Sequence, residues 1–224
     1  MKTHPILGLM LKDFYSIRGY LIRQIGLLLV IYLIIGFAMK TMSMLPSMLM
    51  LGVTMSLISI FSLDETSHWN AYALTLPITP KDLVVSKYVL YYGAMYIVGL
   101  LASLFSAVLD FAFFREAEDS IETLIMGVGG GMAILIVYTL VIAVDIPLFL
   151  KLGTEKSRIP MTLTFLVPFV AIFPTISYWG PWLENLDYTQ INWILVSLIA
   201  LIILIFVMVI SCMISIQIMA QKEY

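Results

Sequence analysis

Charged residues and cysteine are both scarce in this chain, and their scarcity excludes several classes of protein. Of its 224 residues, 12% are Asp, Glu, Lys or Arg, whereas 62% are hydrophobic and the mean hydropathy is +1.04. A water-soluble domain of this length does not have such a composition. The single cysteine, Cys212, excludes an internal disulfide and is interpreted as an apolar packing residue. The net charge of −2 gives no indication of a nucleic-acid partner.

Sequence signatures of enzymes and metal sites are also missing. The chain has no His-Glu-x-x-His, no Gly-x-Ser-x-Gly and no Gly-x-x-x-x-Gly-Lys-Ser/Thr phosphate-binding loop. Its two histidines, His4 and His68, have no second ligand at metal-binding spacing. We therefore expect no catalytic residue, metal or cofactor on this chain, and any use of ATP must occur on another chain.

Long apolar runs make up most of the sequence. A run of about 20 apolar residues can cross a hydrocarbon core about 30 Å thick as a helix, because a helix satisfies its own backbone hydrogen bonds. The alternating pattern of a transmembrane β-strand is absent. The sequence therefore predicts an all-α membrane protein with six spans: Leu21–Met39, Leu45–Leu63, Tyr88–Phe111, Leu124–Phe149, Pro160–Tyr178 and Trp193–Met219.

The distribution of Lys and Arg predicts which side of the membrane each loop faces. All basic residues except Lys40 and Arg115 lie in the N-terminal segment, the loops after spans 2 and 4, or the C-terminal tail. The positive-inside rule places these four segments, and therefore both termini, in the cytoplasm.

The first 20 residues have an amphipathic pattern. On a helical projection, one side would carry Ile6, Leu7, Met10, Leu11, Phe14, Ile17 and Leu21. The other side would carry Lys12, Asp13, Ser16, Gly19 and Arg23. We expect a helix that lies in the inner headgroup layer of the lipid bilayer. The alternative is a plain cytosolic extension of the first span.

The loop from Asp64 to Lys87 is longer than a connection between two helices needs. Trp69, Tyr72, Ala73 and Leu76 recur at helical spacing and predict a two-turn helix with an apolar, aromatic face that Pro77 ends. The run Thr79-Pro80-Lys81-Asp82 then predicts a second helix start, with a capping box between Thr79 and Asp82.

The acidic start of this loop favours a protein partner. Anionic lipid would repel Asp64 and Glu65, and helices that lie on membranes usually carry basic residues on their polar face. A protein with basic groups fits better than the headgroup layer, which remains the alternative.

The loop after span 4 has a helix stop signal at Gly153. It is either a second contact for a partner or a turn that only sets topology, and its charged residues are Lys151, Glu155, Lys156 and Arg158.

Two carboxylates, Asp110 and Asp145, lie inside the apolar runs, where a charge costs about 2.5–3.5 kcal/mol at the bilayer centre. Asp110 is near the outer end of its span, within reach of water or a neighbouring donor. Asp145 is expected to be an anchor near the cytoplasmic end, with Lys151 or Arg158 as its partner.

The glycines at the start of span 4, Gly127 and Gly131 among them, are interpreted as packing positions.

Three cytoplasm-proximal segments resemble those of small ABC-2-type exporter permeases. The most specific begins with Asp64-Glu65 and continues through Trp69-Asn70-Ala71-Tyr72-Ala73-Leu74-Thr75-Leu76-Pro77 to Lys87-Tyr88. The other two are Leu11-Lys12-Asp13-Phe14-Tyr15 and Ile146-Pro147-Leu148-Phe149 with the charged loop that follows. The chain is similar to the subgroup with the membrane subunits of the staphylococcal phenol-soluble modulin exporter and of bacitracin- and lantibiotic-type peptide exporters. Its outer loop from Trp179 to Gln190 is short, without room for the re-entrant helices of larger relatives.

This resemblance implies the membrane half of an ATP-driven exporter of amphipathic peptides, antibiotics or lipid-like substrates, in the bacterial cytoplasmic membrane. It implies a second permease subunit, identical or related, and two cytosolic ABC ATPase subunits that bind ATP and Mg²⁺. Residues 1–20 would be an elbow helix and residues 64–87 a coupling segment. The ATPase contacts would be Asp64, Glu65, Trp69, Tyr72, Leu76 and Lys81. The rival hypothesis is a membrane scaffold, a regulatory subunit or a secondary carrier that does not depend on ATP.

Overall fold

The computed structural model describes residues 5–42, 44–114, 120–184 and 193–222, with side chains over 5–42, 44–56, 58–114, 128–164, 166, 170 and 198–222. All regular secondary structure in these ranges is helical, which confirms the all-α prediction for this part of the chain. The helices are α1 Pro5–Met39, α2 Leu45–Thr66, α3 Trp69–Ala73, α4 Pro80–Phe113, α5 Ser120–Glu184 and α6 Trp193–Gln221.

Five helical segments among the described residues are long and apolar enough to cross a membrane. They are Pro5–Met39, Leu45–Thr66, Pro80–Phe113, Val128–Thr164 and Leu198–Gln221. Many of their large apolar side chains face outward, for example Ile34 and Ile202, as expected for helices in contact with lipid. The predicted span Pro160–Tyr178 lies in the second half of α5, where most side chains are outside the described set. The predicted outer loop from Trp179 to Gln190 begins later than expected, because α5 continues to Glu184, and the rest of that loop lies outside the described residues.

The N-terminal segment differs from the predicted headgroup helix. α1 runs without a break from Pro5 to Met39, so residues 5–20 extend the first membrane helix. At 1.5 Å per residue the helix is about 52 Å long, well beyond the hydrocarbon thickness. The predicted assignment of residues to the two faces of this helix is also wrong at two positions. Asp13, assigned to the polar face, is buried, whereas Phe14, assigned to the apolar face, is exposed. Asp13 is buried because two lysines approach it, as described below.

The long helices pack side by side in alternating directions. α1 and α2 run antiparallel, since Lys12 contacts Asp64 and Leu28 approaches Gly52 farther along the pair. α4 and α5 are also antiparallel, and they approach so closely that a Cβ on Gly131 would overlap the Ser103 side chain. The packing role predicted for Gly131 is therefore confirmed, whereas a Cβ on Gly129 or Gly130 would meet nothing within 4 Å. The side chains near Gly127 lie outside the described residues. The shared core is formed by fully buried residues such as Met50, Tyr91, Met95, Ile142 and Ile146.

α5 is interrupted at Gly153, as the sequence predicts. Gly153 has φ 78° and ψ 173°, a left-handed conformation that glycine adopts without a steric penalty. Near this break the Lys222 ammonium donates a hydrogen bond to the Leu150 carbonyl at 3.1 Å. The end of α6 therefore lies beside the break, close to Glu65 at the end of α2. We call this side of the bundle, which also contains the start of α4, the loop end.

Candidate functional site

The loop between α2 and α4 forms a short helix and a turn at the loop end. α2 continues to Thr66, three residues past the predicted end of its span. His68 then adopts a left-handed conformation with φ 51°, and α3 follows from Trp69 to Ala73. The predicted aromatic helix is thus shorter than expected. Its last part, through Leu76, is a pair of turns in which the Leu76 amide donates to the Ala73 carbonyl at 3.1 Å.

The predicted capping box at the start of α4 is confirmed. The Thr79 hydroxyl oxygen accepts a hydrogen bond from the Asp82 amide at 3.2 Å, and the Asp82 carboxylate accepts one from the Thr79 amide at 3.0 Å. Pro80 occupies the first turn, where its missing N–H costs nothing. These bonds fix the point at which the loop ends and α4 begins.

Four charged side chains meet beneath α3 in what we call the ion cluster: Lys12, Asp13, Asp64 and Lys87. The Lys12 ammonium donates to the Asp64 carboxylate at 2.5 Å and to the Asp13 carboxylate at 2.9 Å. Lys87 lies 3.4 Å from Asp13 and also pairs with Asp64. The side chains of Asp13, Asp64 and Lys87 are only 2–4% exposed, whereas Lys12 is 29% exposed. Two positive and two negative charges balance, so the cluster is neutral although it is largely dehydrated.

Aromatic rings close the ion cluster on two sides. The Lys12 ammonium lies 4.4 Å from the centre of the Trp69 ring, and the Lys87 ammonium lies 4.9 Å from the centre of the Phe61 ring. Cations at these distances are attracted to the face of an aromatic ring. The cluster therefore joins four helices, because Lys12 belongs to α1, Phe61 to α2, Trp69 to α3 and Lys87 to α4.

This arrangement changes the interpretation of Asp64. The sequence pattern assigned it to a partner contact, but in the structure its carboxylate faces two lysines of the same chain and is 2% exposed. Sequence reasoning did not identify Lys12, Asp13 or Lys87 as functional residues. One feature of the sequence could have indicated the ion cluster. Two lysines and two aspartates lie at the same end of three neighbouring helices, where their charges can cancel.

Glu65 makes a second connection, from α2 to the break in α5. Its carboxylate accepts hydrogen bonds from the Thr154 amide at 2.7 Å and from the Thr154 hydroxyl at 2.5 Å. Thr154 directly follows Gly153, so Glu65 satisfies an amide at the start of the second half of α5, where a negative charge is favourable. A Cβ on Gly153 would lie 2.8 Å from a Glu65 carboxylate oxygen.

Replacing Gly153 with alanine is expected to destabilise the protein by about 1–2 kcal/mol, because an L-residue is strained in the left-handed region. The new Cβ would also push the Glu65 carboxylate away from Thr154. Gly129→Ala is the matched control, since Gly129 is in a helix of the same chain and a Cβ there would meet nothing within 4 Å. Thermal unfolding in detergent checks the prediction. Equal melting temperatures for the two variants would contradict it.

The remaining predicted partner contacts lie on the surface of the loop end. Tyr72 is 59% exposed and Leu76 39% exposed, and Lys81 is also exposed, whereas Trp69 is half-buried beneath Lys12. The four predicted residues after span 4 are also exposed: Lys151, Glu155, Lys156 and Arg158. Because Glu65 joins α2 to Thr154, both groups belong to one end of the bundle. We call these exposed residues, from Tyr72 to Lys81 and from Lys151 to Arg158, the loop-end surface.

The two carboxylates inside the membrane helices have different environments. Asp110 accepts a hydrogen bond from the Met42 amide at 2.6 Å, so a neighbouring donor satisfies it. Asp145 is 0% exposed, and neither of its carboxylate oxygens has a hydrogen-bond partner among the described side chains. The Thr164 hydroxyl lies nearby but donates to the Pro160 carbonyl at 2.9 Å. The predicted pairing of Asp145 with Lys151 or Arg158 does not form, because both basic side chains point to the exterior.

Comparison with known proteins gives one family. A family model described as "ABC-2 family transporter protein" matches residues 8–220. No curated protein and no solved structure matches the chain. The match covers nearly all of the sequence, from the first turn of α1 to the last turn of α6. The protein therefore belongs to the ABC-2 transporter family and is a membrane permease component of an ABC transporter.

Proposed function

We propose that this chain is the membrane half of an ATP-driven exporter, and that the loop-end surface is where a cytosolic ATPase docks. The observation that carries the proposal is the way this surface is held. Exposed Tyr72 lies on the short helix α3 and exposed Leu76 in the turns that follow it, and the base of α3 is tied to three membrane helices through the ion cluster. A partner that moves α3 therefore moves the membrane helices with it.

We further propose a six-span topology with both ends of the chain on the cytoplasmic side, and the helix directions support it. Gly153 and Lys222 both lie at the loop end, and α6 is a continuous helix of 29 residues that ends there. The start of α6 is thus about 40 Å from the loop end at 1.5 Å per residue. Since α6 begins on that far side, the chain returns there after Gly153, and in the proposed topology the second half of α5 would be the sixth crossing. The basic residues at the loop end agree with the positive-inside rule.

The chemistry of the loop-end surface fits a protein partner. Tyr72 offers a large ring with a polar tip, and tyrosine is enriched among residues that dominate binding energies at interfaces. Leu76 and the stem of Lys81 extend the apolar contact, while Lys151, Lys156 and Arg158 add positive charge. Glu65 and Asp64 are engaged within the chain, so we assign them the role of holding the surface in place rather than contacting the partner.

Transmission of movement needs elements with two discrete positions. ATP and Mg²⁺ on two ATPase subunits would supply the change, and a second permease subunit, identical or related, would complete the path through the membrane. The α3 helix would pass the movement through the ion cluster to α1, α2 and α4. Glu65 would pass it to the second half of α5 through Thr154. In this scheme the expelled molecules are amphipathic peptides, antibiotics or lipid-like compounds.

The test is copurification of the ATPase with a variant that carries Tyr72→Ala and Leu76→Ala. Wild-type protein extracted in detergent should carry a subunit with a phosphate-binding loop, identified by mass measurement. Loss of two exposed interface side chains should lower the recovered ATPase at least about 30-fold, as for residues at the centre of an interface. Because both side chains are exposed, the melting temperature of the permease should not change.

Phe113→Ala is the matched control. Phe113 is 60% exposed, almost the same as Tyr72, but it lies at the opposite end of α4 from the ion cluster. It should leave ATPase recovery unchanged. A wild-type preparation with no nucleotide-binding subunit, or undiminished recovery with the double variant, would contradict the proposal and favour a scaffold that does not depend on ATP.

A further inference from the structure

A large apolar groove lies between α1, α2 and α4, adjacent to the ion cluster on the membrane side. Its volume is about 710 Å³, within the range of pockets that hold small ligands. The lining is almost entirely aliphatic and aromatic, and its sequence positions lie mainly in the part of each helix that crosses the membrane. An occupant of this groove must therefore be mostly apolar.

Two glycines give the groove its width. Gly26 of α1 and Gly93 of α4 both line it, and a Cβ at either position would meet nothing within 4 Å. Elsewhere the same bundle places glycine where helices touch, as at Gly99 and Gly131, where a Cβ would collide with a neighbouring side chain. The space beside Gly26 and Gly93 is open because no described side chain fills it.

Among the described residues that line the groove, Arg18 is the only charged one. It lies three residues before Leu21, where the apolar run of α1 begins, and therefore at the depth of the headgroups. Its side chain is exposed, and no hydrogen bond or ion pair to it is found in the ranges that the structure describes. The neighbouring Arg23, by contrast, donates to the Gly19 carbonyl at 3.1 Å and does not line the groove.

We propose that the groove binds one anionic phospholipid of the leaflet at the loop end, with an acyl chain between Gly26 and Gly93 and the phosphate at Arg18. An apolar cavity that ends in an unpaired guanidinium at headgroup depth matches the two parts of such a lipid. Arginine is suited to phosphate because its planar fork donates two parallel hydrogen bonds. A second copy of the chain fits less well, since it would cover Arg18 in a lining that contains no carboxylate. The assignment of this leaflet to the cytoplasmic side rests on the orientation proposed above.

The first test measures retained lipid by native mass spectrometry. The purified complex is stripped with detergent, incubated with mixed micelles of phosphatidylglycerol or phosphatidylcholine, and transferred to the gas phase. Wild-type protein should retain one phosphatidylglycerol per permease chain in preference to phosphatidylcholine. Arg18→Gln should lower phosphatidylglycerol retention about fivefold, the effect of one basic residue near an anionic surface. Arg18→Lys should keep most of it, and Arg23→Gln should match the wild type.

A second pair of variants tests the apolar part of the site. Gly26→Leu combined with Gly93→Leu fills the groove and should abolish retention of both lipids. Gly129→Leu, at an equally open position on α5, should not change it. Three results would overturn the proposal. Wild type and Arg18→Gln could retain equal amounts of phosphatidylglycerol, Arg23→Gln could lose as much of it as Arg18→Gln, or the wild type could bind no lipid. Cross-linking of Gly26→Cys between two copies without bound lipid would also overturn it. ATPase copurification is measured on the same samples, so failure of the lipid site and failure of ATPase docking are separate results.

Discussion

Replacing Asp64 with alanine is expected to lower the melting temperature of the permease by about 10 °C. The substitution removes the carboxylate that Lys12 and Lys87 share and leaves the buried Lys87 with only Asp13, 3.4 Å away. Removing one partner of a buried ion pair costs about 3–5 kcal/mol, because the remaining charge is dehydrated without compensation. For a chain of this size, 1 kcal/mol corresponds to about 2–4 °C. Thermal unfolding in detergent, followed by circular dichroism, measures the change.

The double variant Asp64→Ala with Lys87→Met separates charge imbalance from lost packing. It leaves Lys12 and Asp13 as a neutral pair 2.9 Å apart, so it should recover more than half of the lost stability. Lys81→Met is the control, because Lys81 is an exposed lysine six residues earlier in the same helix, and it should leave the melting temperature unchanged. If Asp64→Ala and Lys81→Met behaved alike, the ion cluster would not hold the loop end together.

The same buried position explains why charge reversal at Asp64 is a poor test of ATPase docking. A lysine there would meet Lys12 and Lys87 inside the bundle, and the resulting misfolding would reduce copurification for a reason unrelated to the partner. Tyr72 and Leu76 are better probes, because their side chains are exposed and belong to neither the ion cluster nor the Glu65 contact, although the Tyr72 ring also packs 5.7 Å from the Trp69 ring.

Local chemistry made several features of this fold predictable from the sequence. Apolar runs of membrane length indicate the positions of the long helices, Thr79 with Asp82 indicates the start of α4, and Gly153 indicates the break in α5. Each of these signals lies within a few neighbouring residues. The same reasoning did not show that α1 is continuous, because an amphipathic pattern is equally compatible with a surface helix and with an extension of the span.

The candidate site depends on pairings that a single sequence does not display. Glu65 and Thr154 are 89 residues apart, and Lys12 and Asp64 are 52 apart, so neither contact leaves a local pattern. An acidic pair at a helix end has the same appearance whether it faces a partner or its own chain. The helix directions decide between these possibilities, because they bring the ends of α1, α2 and α4 together and make Asp64 an internal residue.

Replacing Asp145 with leucine is expected to stabilise the permease by about 1–3 kcal/mol and to raise its melting temperature by about 5 °C. The carboxyl group is fully buried, and neither oxygen has a hydrogen-bond partner in the part of the chain that the structure describes, so the folded state bears the cost of its dehydration. Leucine has a similar size and no polar atoms, and Ile142 and Ile146, within one turn of the same helix, are fully buried as well. Thermal unfolding of the two proteins in the same detergent measures the difference.

Asp110→Leu is the matched control with the opposite expectation. The Asp110 carboxylate accepts the Met42 amide at 2.6 Å, so its loss leaves a backbone donor unsatisfied and should lower the melting temperature. Thr164→Val tests the nearby hydroxyl and should have little effect on Asp145, since that hydroxyl donates to the Pro160 carbonyl. A drop in melting temperature for Asp145→Leu comparable to that for Asp110→Leu would show that the buried carboxyl has a stabilising partner after all. A rise in melting temperature for Asp145→Leu together with a fall for Asp110→Leu would identify Asp145 as a residue retained at a cost in stability. Such a cost is typical of positions kept for function.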